Sequence, residues 1–157
     1  MDKNIREILE QLSLRTISFF SEDLSLTIDD EFQIKEVSSV ELLSTTTYIS
    51  LSNAISGTVA MSVSKHLSEK MAKGFLYGEI TQEEIDSLCI ASVTEILNIT
   101  IGNIIENLTI TKNGGIIDIS TPDTITKSKT ITKEQYTTIV VSRLKIDNED
   151  IILSYFI

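Results

Sequence analysis

Between Thr81 and Leu108 apolar side chains recur every three or four positions, the spacing of an α-helix. At roughly 100° per residue, Ile90, Val93, Leu97, Ile101, Ile104 and Leu108 gather on one side, which the pattern marks as a core face. The opposite side carries Ala91, Glu95, Asn98, Gly102 and Glu106. Thr81 and Glu84 form the capping box that opens this helix, and Lys112-Asn113-Gly114-Gly115 turns the chain after it. A shorter periodic stretch starts at the N-terminus. Asp2 is placed to cap it, Ile5, Ile8, Leu9, Leu12 and Phe19 make its buried stripe, and Glu7 and Arg15 fall on the solvated side. Ser64 opens another helix, with Leu67, Met71 and Leu76 on the apolar side and an end around Gly74 to Gly78.

Elsewhere the period drops to two. Glu36 to Ser50 is rich in Val, Thr, Tyr and Ile, and Thr45 to Ser52 alternates around Tyr48. Asn53 to Gly57 reads as a turn. Val59, Met61 and Val63 then share one face of a second strand, giving an antiparallel hairpin. Ile116 to Ser120 is a short strand, Pro122 starts a polar loop, and Ile125 to Ile131 is an extended segment. Thr137 to Ser142 and Ile151 to Phe156 form a closing hairpin around Asp147 to Asp150. The order helix, strands, helix, long helix, strands defines an α+β fold, with helices packed on a largely antiparallel sheet. The apolar strand Ile151 to Ile157 would be an exposed hazard if it were left as an open edge; the sequence does not assign which strands would pair between copies.

Length and composition narrow the class. The 157 residues suit one domain over 1–157, burying roughly 70% of the surface of the unfolded chain. One proline and six glycines leave little room for a linker. No apolar run reaches the roughly 18 residues of a membrane span, and the charged Met1 to Asn4 start does not read as a signal peptide. A single cysteine, Cys89, forms no internal disulfide, so a cytoplasmic location is expected. The net charge of −10 argues against nucleic acid, whose binding depends on Lys and Arg, and gives no help in attracting an acidic protein. The carboxylates Asp23, Asp29, Asp30 and Glu31 lack the glycine and terminal glutamate of an EF-hand loop and read as a solvated loop and edge strand. His66 has no second histidine, nearby cysteine or serine elbow beside it and reads as an exposed polar residue.

Candidate chemistry then falls to the polar side of the long helix. Glu95 and Asn98 are three apart and therefore neighbours on its surface. They supply neither a serine or cysteine nucleophile nor the paired carboxylates of most glycosidases. Gly102 costs the helix about 1 kcal/mol relative to alanine, which points to a packing or contact role.

Glu95-Ile96-Leu97-Asn98 followed by Ile101-Gly102-Asn103 resembles the E-x-x-N helix of the CheC/CheX chemotaxis phosphatases, and most closely the CheX type, which has one such helix. The Tyr48-to-Val63 hairpin, the helix after Ser64, the Thr81 box and the motif helix follow the family's order, from about residue 45 on. The first 44 residues match only in having an opening helix, where Glu10-Gln11-Leu12-Ser13 ends in serine instead of asparagine. The resemblance implies a CheX-like fold and a phosphatase that hydrolyses the aspartyl phosphate of a phosphorylated, CheY-like response regulator. It implies that Asn98 orients the attacking water and Glu95 contacts the regulator's active-site lysine. Mg2+ would belong to the regulator, with no cofactor or metal of the chain's own, and relatives of this type are homodimers. An amide that both donates and accepts, beside one carboxylate, suits such a reaction, because phosphoryl transfer depends more on positioning than on a strong acid or base. Helix geometry adds Ala91, Ile99, Gly102 and Asn103 as candidate partner contacts. A reading of another class is a non-catalytic, response-regulator-binding or flagellar-switch-like scaffold domain that docks through the same helix without accelerating dephosphorylation.

Overall fold

A computed structural model describes residues 1–75 and 81–157. The chain enters α1 (Lys3–Ser18) through Asp2, whose carboxylate accepts from the backbone N–H groups of Asn4 at 2.7 Å and Ile5 at 3.3 Å. Ile5, Ile8, Leu9 and Leu12 are buried as the periodicity predicts. A π-helical turn, Phe19–Asp23, continues the helix and buries Phe19 and Phe20. The strands β1 (Ile34–Glu36), β2 (Ser39–Leu42), β3 (Thr45–Asn53) and β4 (Gly57–Val63) follow, then α2 (Lys65–Phe75) and α3 (Gln82–Ile105). A single turn of helix, α4 (Thr109–Lys112), precedes β5 (Ile117–Ile119), β6 (Asp123–Ile125), β7 (Lys129–Thr132), β8 (Ile139–Ile146) and β9 (Glu149–Phe156). Leu76 and Gly78, expected at the end of α2, lie outside the described residues.

The main sheet runs β1-β8-β9-β4-β3-β5, with β6 also pairing to β3, and every described pairing in it is antiparallel. On its inner face α1 packs against β8 and β9, and α3 against β3 and β4. On the outer face the β2–β7 ribbon covers Ala60, Ile139, Val141, Ile152 and Phe156 with Val40, Leu42 and Ile131. The sheet is therefore buried on both sides. Its central strands need apolar residues at consecutive positions, and β9 has them: Ile151, Leu153 and Tyr155 face the helices, and Ile152 and Phe156 face the ribbon.

The strand that would have been a hazard as an open edge is central, held by β4 on one side and β8 on the other. A continuous apolar run marks a strand covered on both faces; it carries no information about an unpaired edge. The edges are β1 at one end and β5 with β6 at the other. The acidic stretch before Ile34 is loop leading into edge strand β1, as expected.

The two predicted hairpins are present. β3 and β4 pair from Thr45↔Val63 to Leu51↔Gly57, placing Val59, Met61 and Val63 in the core. Gly57 is required there: a Cβ would lie 2.5 Å from Cζ and Oη of the buried Tyr155. β8 and β9 meet at a tight turn in which Asp147 (φ 47°) and Asn148 (φ 67°) both take left-handed backbone, the geometry a two-residue hairpin demands.

Candidate functional site

α3 begins where the sequence places it, with the Glu84 carboxylate accepting from Thr81 N at 3.2 Å and Thr81 Oγ1 at 2.8 Å. Those hydrogen bonds hold the Glu84 carboxyl below the usual carboxylate range. The helix ends at Ile105, three residues before the predicted end, and Leu108 is buried in the following turn. Ile90, predicted on the core face, is exposed. The reason is that the buried stripe changes neighbour along the helix. The first half buries Ile85 and Cys89 against Ala72 of α2, and only from Val93 onward does the stripe (Val93, Ile96, Leu97, Ile101, Ile104) meet the sheet core. Ile90 belongs to neither contact. By length and composition α3 is long and apolar enough to cross a membrane, and nine of its side chains are buried in this fold.

Hydroxyls fix the helix laterally. Thr124 Oγ1 of β6 lies 2.7 Å from both Thr47 Oγ1 of β3 and Thr94 Oγ1 of α3, and Thr94 also donates to Ile90 O at 2.8 Å. Thr94 immediately precedes Glu95, so this cluster ties the candidate site to the sheet edge. Its sequence signal was the threonine run Thr45 to Thr47, which reads equally well as β propensity.

The outward face of α3 presents the predicted residues together. Ala91, Glu95, Gly102 and Asn103 are exposed, and Asn98 and Ile99 are half-buried. Positions 91, 95, 98 and 102 succeed one another at four, three and four residues, so they form one line along the helix. Among the described residues, neither the Glu95 carboxylate nor the Asn98 carboxamide has an intramolecular hydrogen-bond partner, whereas hydroxyls along the same helix bond back to its carbonyls, Ser92 Oγ to Leu88 O at 2.7 Å for example. Among the described residues Gly102 has no packing role: a Cβ there would meet nothing within 4 Å.

The other candidates have structural roles. Ser13 of α1 is fully buried, with Oγ 2.7 Å from both Leu9 O and Ser142 Oγ, so the position matching the asparagine on that helix points into the sheet. Glu7 is more than a solvated residue, since its carboxylate accepts from Thr109 N at 2.9 Å and Oγ1 at 2.7 Å and caps α4. His66 Nδ1 lies 2.9 Å from Glu149 Oε2, and Ser64 Oγ donates to the other oxygen at 2.5 Å, which fastens α2 to the start of β9. Cys89 is free and buried, and burial pushes its thiol up, away from thiolate chemistry. Asp29, Asp30 and Glu31 stand beside Lys35, Arg143 and Lys145, and no group of three metal-ligating side chains occurs among the described residues.

The arrangement defines a class: an α+β domain that displays, on a helix braced by an antiparallel sheet, a carboxylate–carboxamide pair with no hydrogen-bond partner among the described residues, chemistry suited to a group brought by another molecule. The comparisons carry this further. The family model of chemotaxis phosphatase CheX matches residues 45–145, and the chain belongs to that family. A search of curated proteins finds no match. Among solved structures the fold is shared with the chemotaxis protein CheX from Desulfovibrio desulfuricans, at 14% identity and a TM-score of 0.75, covering 95% of this chain and 97% of that one. CheX from Vibrio vulnificus superposes with a TM-score of 0.71 at 18% identity, covering 99% of each chain. The CheX–CheY–BeF3–Mg2+ complex from Borrelia burgdorferi matches with a TM-score of 0.67 at 16% identity, covering 98% of this chain and 97% of that one.

Proposed function

We propose that this chain is a phosphatase that accelerates hydrolysis of the aspartyl phosphate on a CheY-like response regulator, with Asn98 and Glu95 as its working residues. The observation that carries the reading is the pair itself. On a helix where threonine and serine hydroxyls bond back to the backbone, these two polar groups stand side by side with no hydrogen-bond partner among the described residues. Family membership supports the reaction class, and the Borrelia complex, a CheX bound to CheY with BeF3 and Mg2+, supports the kind of partner.

The chemistry asked of the chain is modest. Water oxygen bonds to phosphorus as the bond from phosphorus to the aspartyl oxygen breaks, leaving inorganic phosphate and a free carboxylate, with the proton passing to phosphate or solvent. The Asn98 carboxamide accepts a hydrogen bond from that water and donates to a phosphoryl oxygen, holding the water in line. The Glu95 carboxylate pairs with the regulator's active-site lysine and fixes the register of the two proteins. Mg2+ would be held by the regulator, where it would supply charge neutralisation at the phosphoryl oxygens, and no residue of this chain is asked to bind it. Ala91, Ile99 and Asn103 flank the pair as docking contacts.

Phosphate release from a phosphorylated regulator tests the reading. Asn98→Ala should lower the rate in the complex about 100-fold, the scale at which lost orientation is felt, while leaving the fold intact. Glu95→Ala should raise KM more than it lowers kcat. An Asn98→Ala variant of full activity refutes the assignment, and a wild-type protein that binds the regulator without hastening its decay makes the chain a scaffold domain. Homodimerisation is proposed on family grounds, through the β1 or the β5–β6 edge. A monomeric mass by light scattering at micromolar concentration would count against it.

A further inference from the structure

Five glycines are described in detail, and three have a firm internal reason to be glycine: a Cβ at Gly57 would lie 2.5 Å from the Tyr155 ring, a Cβ at Gly115 would lie 2.8 Å from the Ile110 carbonyl oxygen, and Gly114 has a φ of +90°. A Cβ at Gly74 would lie 2.7 Å from Leu24 Cδ2, the movable end of a side chain. A Cβ at Gly102 would meet no atom of the described residues within 4 Å. Gly102 lies inside α3, its φ is not in the left-handed region, and a Cβ would project into open space. Glycine within a helix is less stable than alanine, because it loses more backbone freedom on folding. The chain therefore carries a destabilising residue that nothing within the described fold calls for. That residue lies one turn beyond Asn98 on the same outward face, with Asn103 beside it.

We infer that Gly102 is the clearance through which the regulator reaches Asn98, an inference that rests on the function proposed above. Asparagine is short, so its carboxamide stays close to the helix surface. Phosphorus can meet it only if the segment bordering the phosphoaspartate comes into van der Waals contact with the α3 backbone. The open place for that contact is the one-residue gap at position 102. A side chain there would stand between the two surfaces, and the larger it is, the farther the phosphoryl group is held from the amide. Gly102 thus acts as a specificity-determining residue: it admits a partner whose rim fits close to the helix.

The test compares Gly102→Ala and Gly102→Leu with wild type in three measurements: thermal unfolding, affinity for a receiver domain loaded with Mg2+ and beryllofluoride, and phosphate release from the phosphorylated receiver. Alanine should raise Tm by about 2–4 °C, the shift expected when a helix glycine is replaced in a domain of this size. Leucine should leave the protein folded, raise Kd at least about tenfold and lower kcat/KM by at least as much, with alanine in between. Stability and binding moving in opposite directions is a signature that a merely structural glycine does not give. A Gly102→Ala protein with lowered Tm, or a Gly102→Leu protein that binds as tightly as wild type, overturns the inference. Because binding to the beryllofluoride form is read without turnover, failure here is distinct from failure of the phosphatase reading, which Asn98→Ala tests.

Discussion

Replacing Gly57 by alanine should unfold the protein at a distinctly lower temperature, and the structure gives the size. The new methyl carbon would lie 2.5 Å from Tyr155 Cζ and Oη and 2.6 Å from Cε1. The ring cannot withdraw easily, because Tyr155 is fully buried and its hydroxyl donates to Ser56 O at 3.1 Å. Relief must come from strained packing of β4 against β9 together with a turn of the ring out of its hydrogen bond. Overpacking of a close-packed interior costs about 1–3 kcal/mol. Loss of the hydroxyl's bond adds about 0.5–1.5 kcal/mol. Alanine's smaller loss of backbone freedom offsets about 0.5–1 kcal/mol. The net is about 2 kcal/mol, or roughly 4–8 °C in Tm for a domain of this length. Denaturant and thermal unfolding would measure it, and Tyr155→Leu in the same background should recover part of the loss. A Gly57→Ala protein within about 0.5 kcal/mol of wild type, the ordinary range for harmless surface changes, would refute this reasoning, as would strict additivity of the two substitutions.

Other outcomes follow from the same geometry. Thr124→Val removes both hydroxyl contacts to Thr47 and Thr94 and should cost about 1–2 kcal/mol in chemical denaturation, with the amide exchange of α3 accelerated around residue 94. Burial pushes the Tyr155 phenol up to about 12, reinforced by the charge of Asp2, and burial likewise takes Tyr48 to about 12, with Tyr136 and Asp123 adding to it. Both phenols stay neutral in the folded state where the unfolded chain ionises. Their contribution is complete below pH 10 and is lost as pH rises toward 12, and Tyr155→Phe should flatten that loss in an alkaline unfolding series. Phenolate absorbance developing fully near pH 10 in the folded protein would contradict the assignment.

What could be read from the sequence was what neighbouring residues decide among themselves. The Asp2 cap, the Thr81–Glu84 box, the stripe of α1 and the alternation of β3 and β4 are local patterns, and the structure reproduces them. The Asp147–Asn148 turn is equally local, since small polar residues tolerate left-handed backbone at both positions. Helical spacing is local too, and it alone puts Glu95 and Asn98 side by side on the outward face.

The tertiary structure decided everything that depends on what stands opposite. The run Ile151 to Phe156 reads the same whether a strand is covered on one side or two, and only the presence of β4, β8 and the β2–β7 ribbon makes it central. Ile90 keeps helical phase with its neighbours yet is exposed, because α3 changes packing partner along its length. Ser13 is sequestered by Ser142, more than a hundred residues away. Most telling is the difference between Gly57 and Gly102, alike as letters. One is pressed against a buried ring and the other faces nothing, because a glycine's role is set by the atom a Cβ would have met, and sequence spacing does not contain that atom.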